Sequence, residues 1–187
     1  MKKILSSIKS VFVIIGGFLL ILLSACGVFS KKQLHGEDLR KLSDDKLFEA
    51  VYLQTLELVE SFADEESALA QISPAQRTVY ILSIYDMEIQ NGGLCQFFVN
   101  SSRSLAPYVG QCLKTVDAEA HSQLLAEFVA NNQLDLHNLD SFEITDVEEY
   151  AAQTERYNFD TFDNAYYELT PLQEYIVAYI KANIAEF

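Results

Sequence analysis

The sequence predicts an all-α protein, a single compact domain of about seven or eight helices that follows a cleaved N-terminal segment. Three observations predict it. Apolar residues recur at the three- and four-residue spacing of amphipathic helices, and no segment sustains the alternation of a strand. Two helix-start signatures, Ser73-Pro74-Ala75-Gln76 and Thr170-Pro171-Leu172-Gln173, stand before apolar runs. Half of the 187 residues are apolar, which excludes a disordered chain despite 27 acids against 13 bases.

The elements follow in order. From Ser43 to Phe62, a helical wheel turning about 100° per residue puts Leu47, Phe48, Val51, Leu58, Val59 and Phe62 on one arc, with Asp45, Glu49, Glu57 and Glu60 opposite. Ser73 is expected to cap a helix that runs through Val79, Leu82 and Met87 to Asn91, with Pro74 in its first turn and Gln76 reaching back. Gly92-Gly93 is the expected stop, because glycine takes the left-handed conformation at low cost. Leu94 to Asn100 reads as a short apolar helix. Residues 106–116 and 118–130 read as two more, with Asp117 a candidate cap between them. Residues 131–145 are polar and irregular. Helices are expected over 146–156 and from about Phe159 to Leu169, and Thr170 then starts the last one, with Leu172, Ile176, Tyr179, Ile180 and Ile184 as its stripe.

The N-terminus reads as an address. Residues 1–25 carry Lys2, Lys3 and Lys9 and no acid, and Val11 to Leu23 form an apolar run too short to span a bilayer comfortably. Leu23-Ser24-Ala25-Cys26 resembles the lipobox of bacterial lipoproteins. That resemblance implies a signal peptide over 1–25, cleavage before Cys26, and acylation of its thiol and freed amine as a membrane anchor. Residue 27 is Gly rather than Asp, which in a diderm host implies the outer membrane. Residues 26–41 are the expected lipidated tether, and 42–187 the acidic helical domain.

Without residues 1–25 the net charge is about -17, and from Asp117 to Phe187 there are 15 acids and two bases, Arg156 and Lys181. Such a surface repels phosphates, so direct nucleic-acid binding is not expected. One reading of the acidity is solvation alone. The other is a face for a basic protein, built from Asp140, Glu143, Asp146, Glu148, Glu149, Asp160 and Asp163, with Tyr150, Tyr157, Phe159 and Phe162 interleaved as anchors.

The segment Asn91-Gly92-Gly93-Leu94-Cys95-Gln96-Phe97-Phe98-Val99-Asn100-Ser101-Ser102 is the most distinctive in the chain. Read physically, Asn91, Gly92 and Gly93 turn the chain, Phe97 and Phe98 wedge two packing surfaces, and Gln96, Asn100, Ser101 and Ser102 satisfy backbone groups at the corner. A small polar pocket beside the two rings is the other reading. The segment resembles the NGGxxQFFxNSS motif of an acidic all-helical DNA-mimic protein family. Phe159-Asp160 through Asp163, Tyr166 and Tyr167 look like that family's acidic-aromatic segment, and Tyr175 to Phe187 like its closing helix. The resemblance, over roughly 45–187, implies a non-catalytic protein whose best-known relative binds a DNA-binding transcription regulator in place of DNA.

No HExxH, paired zinc-ligand spacing or phosphate-cradling glycine loop occurs, so no catalytic residue, cofactor or metal site is expected. Cys95 and Cys112 can form a disulfide outside the cytoplasm, or be two buried thiols. The expected function is a lipid-anchored protein that binds and sequesters a basic partner at the bacterial envelope. The alternatives are a DNA-mimic inhibitor of a transcription regulator, if the domain is cytoplasmic, and a ligand-binding protein or hydrolase using the Gln96–Ser102 corner. The oligomeric state stays open, a dimer included.

Overall fold

The signature at Ser73 translates directly into a helix start, and the helix expected from residue 146 begins with Asp146 as its cap, in the computed structural model, which describes residues 34–187. The expected signal peptide and Cys26 lie outside the described residues. Eight α-helices and no strand occur among the described residues. They are α1 (Asp44–Glu60), α2 (Glu65–Gln71), α3 (Pro74–Val99), α4 (Ala106–Thr115), α5 (Glu119–Asn131), α6 (Val147–Arg156), α7 (Phe159–Tyr167) and α8 (Leu172–Ala182).

α3 is the axis of the fold. Its capping box is complete: the Gln76 amide donates to Ser73 Oγ at 3.1 Å and the Ser73 amide to Gln76 Oε1 at 3.0 Å. Val79, Ile81, Leu82, Tyr85 and Ile89 are buried on several sides, as expected of a helix surrounded by others. α1, α4, α7 and α8 pack around it. α1 contributes Leu47, Val51, Thr55 and Val59 from one stripe, and the Thr55 hydroxyl bonds back to the Val51 carbonyl at 2.8 Å. At the far end of α3 the rings of Phe97, Phe98, Phe128, Phe142, Phe159 and Phe162 form an aromatic core, with Phe98–Phe142 centroids 5.0 Å apart and Phe128–Phe159 centroids 5.1 Å apart.

The break expected at Gly92-Gly93 is present: both glycines leave the helical conformation, and a second helical stretch runs on to Val99, the two together making up α3. Several other expectations are corrected. Asp117 does not cap α5. It takes the left-handed conformation at φ 61°, and Ala118 occupies the cap position. The capping box expected at Thr170 does not form. Pro171 takes the cap position, and Gln173 donates instead to Asp45 of α1 at 3.3 Å. α2 was not anticipated: seven residues are too few for a period to show, although Asp64 caps it through a 2.8 Å bond from the Ser67 amide. The packed body also begins before residue 42, because Leu39 is fully buried and the Leu34 backbone bonds to Gln54 in both directions.

One buried group gives the fold a pH dependence. His121 on α5 is 1 % exposed, and neither ring nitrogen has a hydrogen-bond partner among the described residues. Its ring meets Tyr166 and Tyr175 edge-on at 5.1 and 5.7 Å. Burial lowers its pKa, and the Asp86 carboxylate opposes this only in part. The unfolded chain therefore takes up a proton before the fold does. The stability that neutral His121 allows is present above the unfolded value of about 6.5 and is lost as pH falls below it. His121→Phe removes this proton uptake. Its melting temperature is expected to gain on the wild type as pH is lowered from about 7.5 to about 5.5. A constant difference between the two proteins across that range would refute the assignment.

Candidate functional site

The Asn91–Ser102 motif occupies the kink in α3. Gly93 has φ 76° and ψ 177°, a conformation that penalises any side chain, and a Cβ there would collide with the Asp163 carboxylate. Gly92 differs. Its φ of -162° is open to any residue, and a Cβ would displace only the end of the Gln96 side chain. The break leaves two sets of backbone groups without helical partners. α7 supplies them. Asp163 Oδ1 accepts from the Leu94 amide at 2.9 Å, capping the resumed helix, and the Tyr167 hydroxyl donates to the Ile89 carbonyl at 2.7 Å. Tyr166 donates to Asp86 at 2.8 Å, and from α6 the Tyr150 hydroxyl approaches the Gly92 carbonyl at 3.5 Å.

The polar residues of the motif serve a different partner from the one expected. Gln96 Nε2 and Asn100 Nδ2 donate to Glu88 Oε2 at 2.6 and 2.9 Å, and Ser102 Oγ donates to Glu88 Oε1 at 3.0 Å. Three donors thus converge on one half-buried carboxylate, and of the expected backbone contacts Ser102 Oγ also reaches the Phe97 carbonyl at 3.3 Å. Glu88 lies three residues before the motif. Its signal was indirect: Gln96, Asn100 and Ser102 can all donate, and the motif holds no carboxylate to receive them. Ser101 and Asn91 are exposed. Phe97 and Phe98 are both buried. Phe97 meets Tyr85 edge-on at 5.2 Å, while Phe98 enters the aromatic core.

The cysteines are not paired. Both thiols are free and buried. They sit in separate environments, Cys95 beside the Tyr150 hydroxyl and Cys112 beside Thr78 and Arg77, and burial pushes each thiol up to about 11. Burial also raises the pKa of Asp163, against the lowering effect of the Leu94 amide.

The expected acidic face divides. Asp140, Glu143, Asp146, Glu148, Glu149 and Asp160 are exposed, whereas Asp163 is half-buried and committed to Leu94. Asp146 caps α6 at the Glu149 amide, Glu149 accepts from Thr145, and Glu143 lies 3.7 Å from Arg103 Nη2. Asp140, Glu148 and Asp160 have no side-chain partner among the described residues. The aromatics expected to anchor a partner are mostly inside. Tyr157, Phe159 and Phe162 are buried and Tyr150 is half-buried, because the hydrophobic core claims them first. A groove of about 380 Å³ lies between α4 and α5, lined by Leu125, Val129, Leu134 and Leu136, and no motif residue lines it.

Residues 70–183 match the DMP19-like protein family. The chain belongs to that family. The span matched runs from the end of α2 through α8, so it includes Glu88, the kinked α3 and Asp163, and it is narrower than the 45–187 anticipated. Comparison with curated proteins and with solved structures gives no match. In this DMP19-like chain the motif is the joint between α3 and α7.

The joint makes a quantitative contrast. Gly93→Ala is expected to destabilise by about 2–4 kcal/mol, combining the left-handed penalty with loss of the Leu94–Asp163 bond. Gly92→Ala should cost about 1 kcal/mol, the worth of the displaced Gln96–Glu88 bond. Urea denaturation of the two variants checks the order, and equal costs would contradict the joint.

Proposed function

We propose that this DMP19-like protein is a lipid-anchored, non-catalytic module of the bacterial envelope that binds and sequesters a basic protein. The observation that carries this reading is the set of exposed carboxylates over Asp140–Asp160, among which Asp140, Glu148, Glu155 and Asp160 have no side-chain partner among the described residues. Unpaired surface acids repel one another, and a cationic surface relieves that repulsion on contact. Such a face attracts partners at long range and loses them as salt rises. The lipobox-like Leu23-Ser24-Ala25-Cys26 supports anchoring outside the cytoplasm, at the outer membrane in a diderm host.

A second reading uses the same face. A protein that binds DNA phosphates also recognises spaced carboxylates, so a cytoplasmic body would serve as a DNA-mimic inhibitor of a transcription regulator. Membership of the family and the resemblance of its central motif support this alternative. The corner gives less support to hydrolysis, since Ser102 is buried and already donates to Glu88.

Two measurements test the reading. Labelled palmitate fed to cells is expected to enter the wild-type protein and not Cys26→Ser; label independent of Cys26 favours the cytoplasmic alternative. Detergent-solubilised full chain, used as bait, should retain basic proteins that elute with salt. Neutralising Glu148, Glu149, Glu155 and Asp160 together should weaken retention by about tenfold or more at low salt. Retention of neutral proteins alone, or no response to the neutralised face, counts against it.

A further inference from the structure

α6 is attached to the body unlike any other helix of the described residues. Each of the other seven buries at least two side chains, whereas α6 buries none. Its main contact with the body is half-buried Tyr150, whose hydroxyl meets the Gly92 carbonyl and lies within hydrogen-bonding reach of the Cys95 thiol. Gln153 donates to the Ser141 carbonyl, which ties α6 to its own approach rather than to the core, and the Gln153 Oε1 atom is buried without a partner among the described residues.

The ends of this segment are fixed. Phe142 before it and Tyr157 after it are buried, and their rings stack with centroids 5.1 Å apart. The intervening chain is therefore a closed loop on two adjoining feet, and it can move without separating them. A loop with its ends already joined gives up little further closure entropy. Apart from one ion pair, Glu143 with Arg103 of the body at 3.7 Å, charge works against the closed position. Residues 140–163 hold eight acids and one base. That base, Arg156, lies over the Tyr157 ring at 5.2 Å rather than against a carboxylate.

We propose that residues 143–156 form a strap that lifts as one unit about the Phe142–Tyr157 stack, uncovering Cys95 while the rest of the domain stays folded. Segments with few buried apolar contacts open at a fraction of the global unfolding free energy. The acidic face is then carried on a movable element. The proposal goes beyond the partner reading, and its test contains no partner, so either can fail without the other.

The two thiols report the motion. Static exposure ranks Cys112 (7 %) above Cys95 (2 %), and burial pushes both thiols to about 11, so a rigid protein offers no reason for Cys95 to react first. A lifting strap reverses the order. The folded full chain is treated with iodoacetamide, an uncharged reagent, and labelling is followed peptide by peptide. Cys95 is expected to label at least about tenfold faster than Cys112. Raising sodium chloride from about 0.01 to about 1 M, which shortens the screening length from about 30 to about 3 Å, should reduce that ratio. Tyr150→Ala should accelerate Cys95 alone, with Cys112 in the same sample reporting any global loss of stability. The strap is overturned by any of three results: Cys95 no faster than Cys112, a ratio that salt does not lower, or Tyr150→Ala leaving Cys95 unchanged or moving both thiols alike.

Discussion

The break in α3 is the constraint on which the rest of the structure depends. A continuous helix of 26 residues would carry Phe97 and Phe98 straight on, with its backbone groups bonded internally. Gly93 turns the chain through a left-handed conformation and frees the Leu94 amide, and Asp163 of α7 captures it. That bond spans 69 residues of sequence. With Tyr166 on Asp86 and Tyr167 on the Ile89 carbonyl, it docks α7 against α3 in one orientation. The docking delivers Phe159 and Phe162 to the aromatic core that Phe98 enters from the other side.

The acids divide their work by burial. Glu88 and Asp163 are half-buried, and both act as acceptors that lock local geometry: Glu88 gathers three side-chain donors of the motif, and Asp163 caps a helix. A partly buried carboxylate is tolerable when several donors meet it and costly when they do not. The acids of 140–160 stay outside, where water screens them. Their mutual repulsion is the cost of a face suited to a cationic surface, and it falls on α6, the helix with the least buried contact.

The elements legible in the sequence were those whose causes are local. Ser73 with Gln76 closes a capping box within four residues, and the stripe of α1 repeats every three to four positions over 17 residues, so both were readable. α2 has seven residues and escaped the periodicity. Thr170 carries the same signature as Ser73 and yet does not cap: Pro171 holds the cap position, and Gln173 donates to Asp45, 128 residues away in sequence. Asp163 looked like an exposed acid within an acidic run. What makes it an internal cap is the Leu94 amide, and nothing near Asp163 in sequence announces that. Tyr157, Phe159 and Phe162 were placed beside the charges correctly but on the wrong side of the surface. Aromatic side chains within an acidic run have two destinations, and burial of their large apolar area decides between them.

The sequence by itself determined the helical class, the excess of acid in the last third, the motif at residues 91–102 and the glycine pair where α3 bends. Each rests on composition, short spacing or the conformational freedom of one residue. Tertiary structure alone decided that Glu88 is the hub of the motif, that Cys95 and Cys112 stay apart, and that α6 lies on the surface with nothing buried. Those outcomes depend on which groups meet across long stretches of chain. A carboxylate, a thiol or an amphipathic helix acquires its role from the partner that burial brings to it.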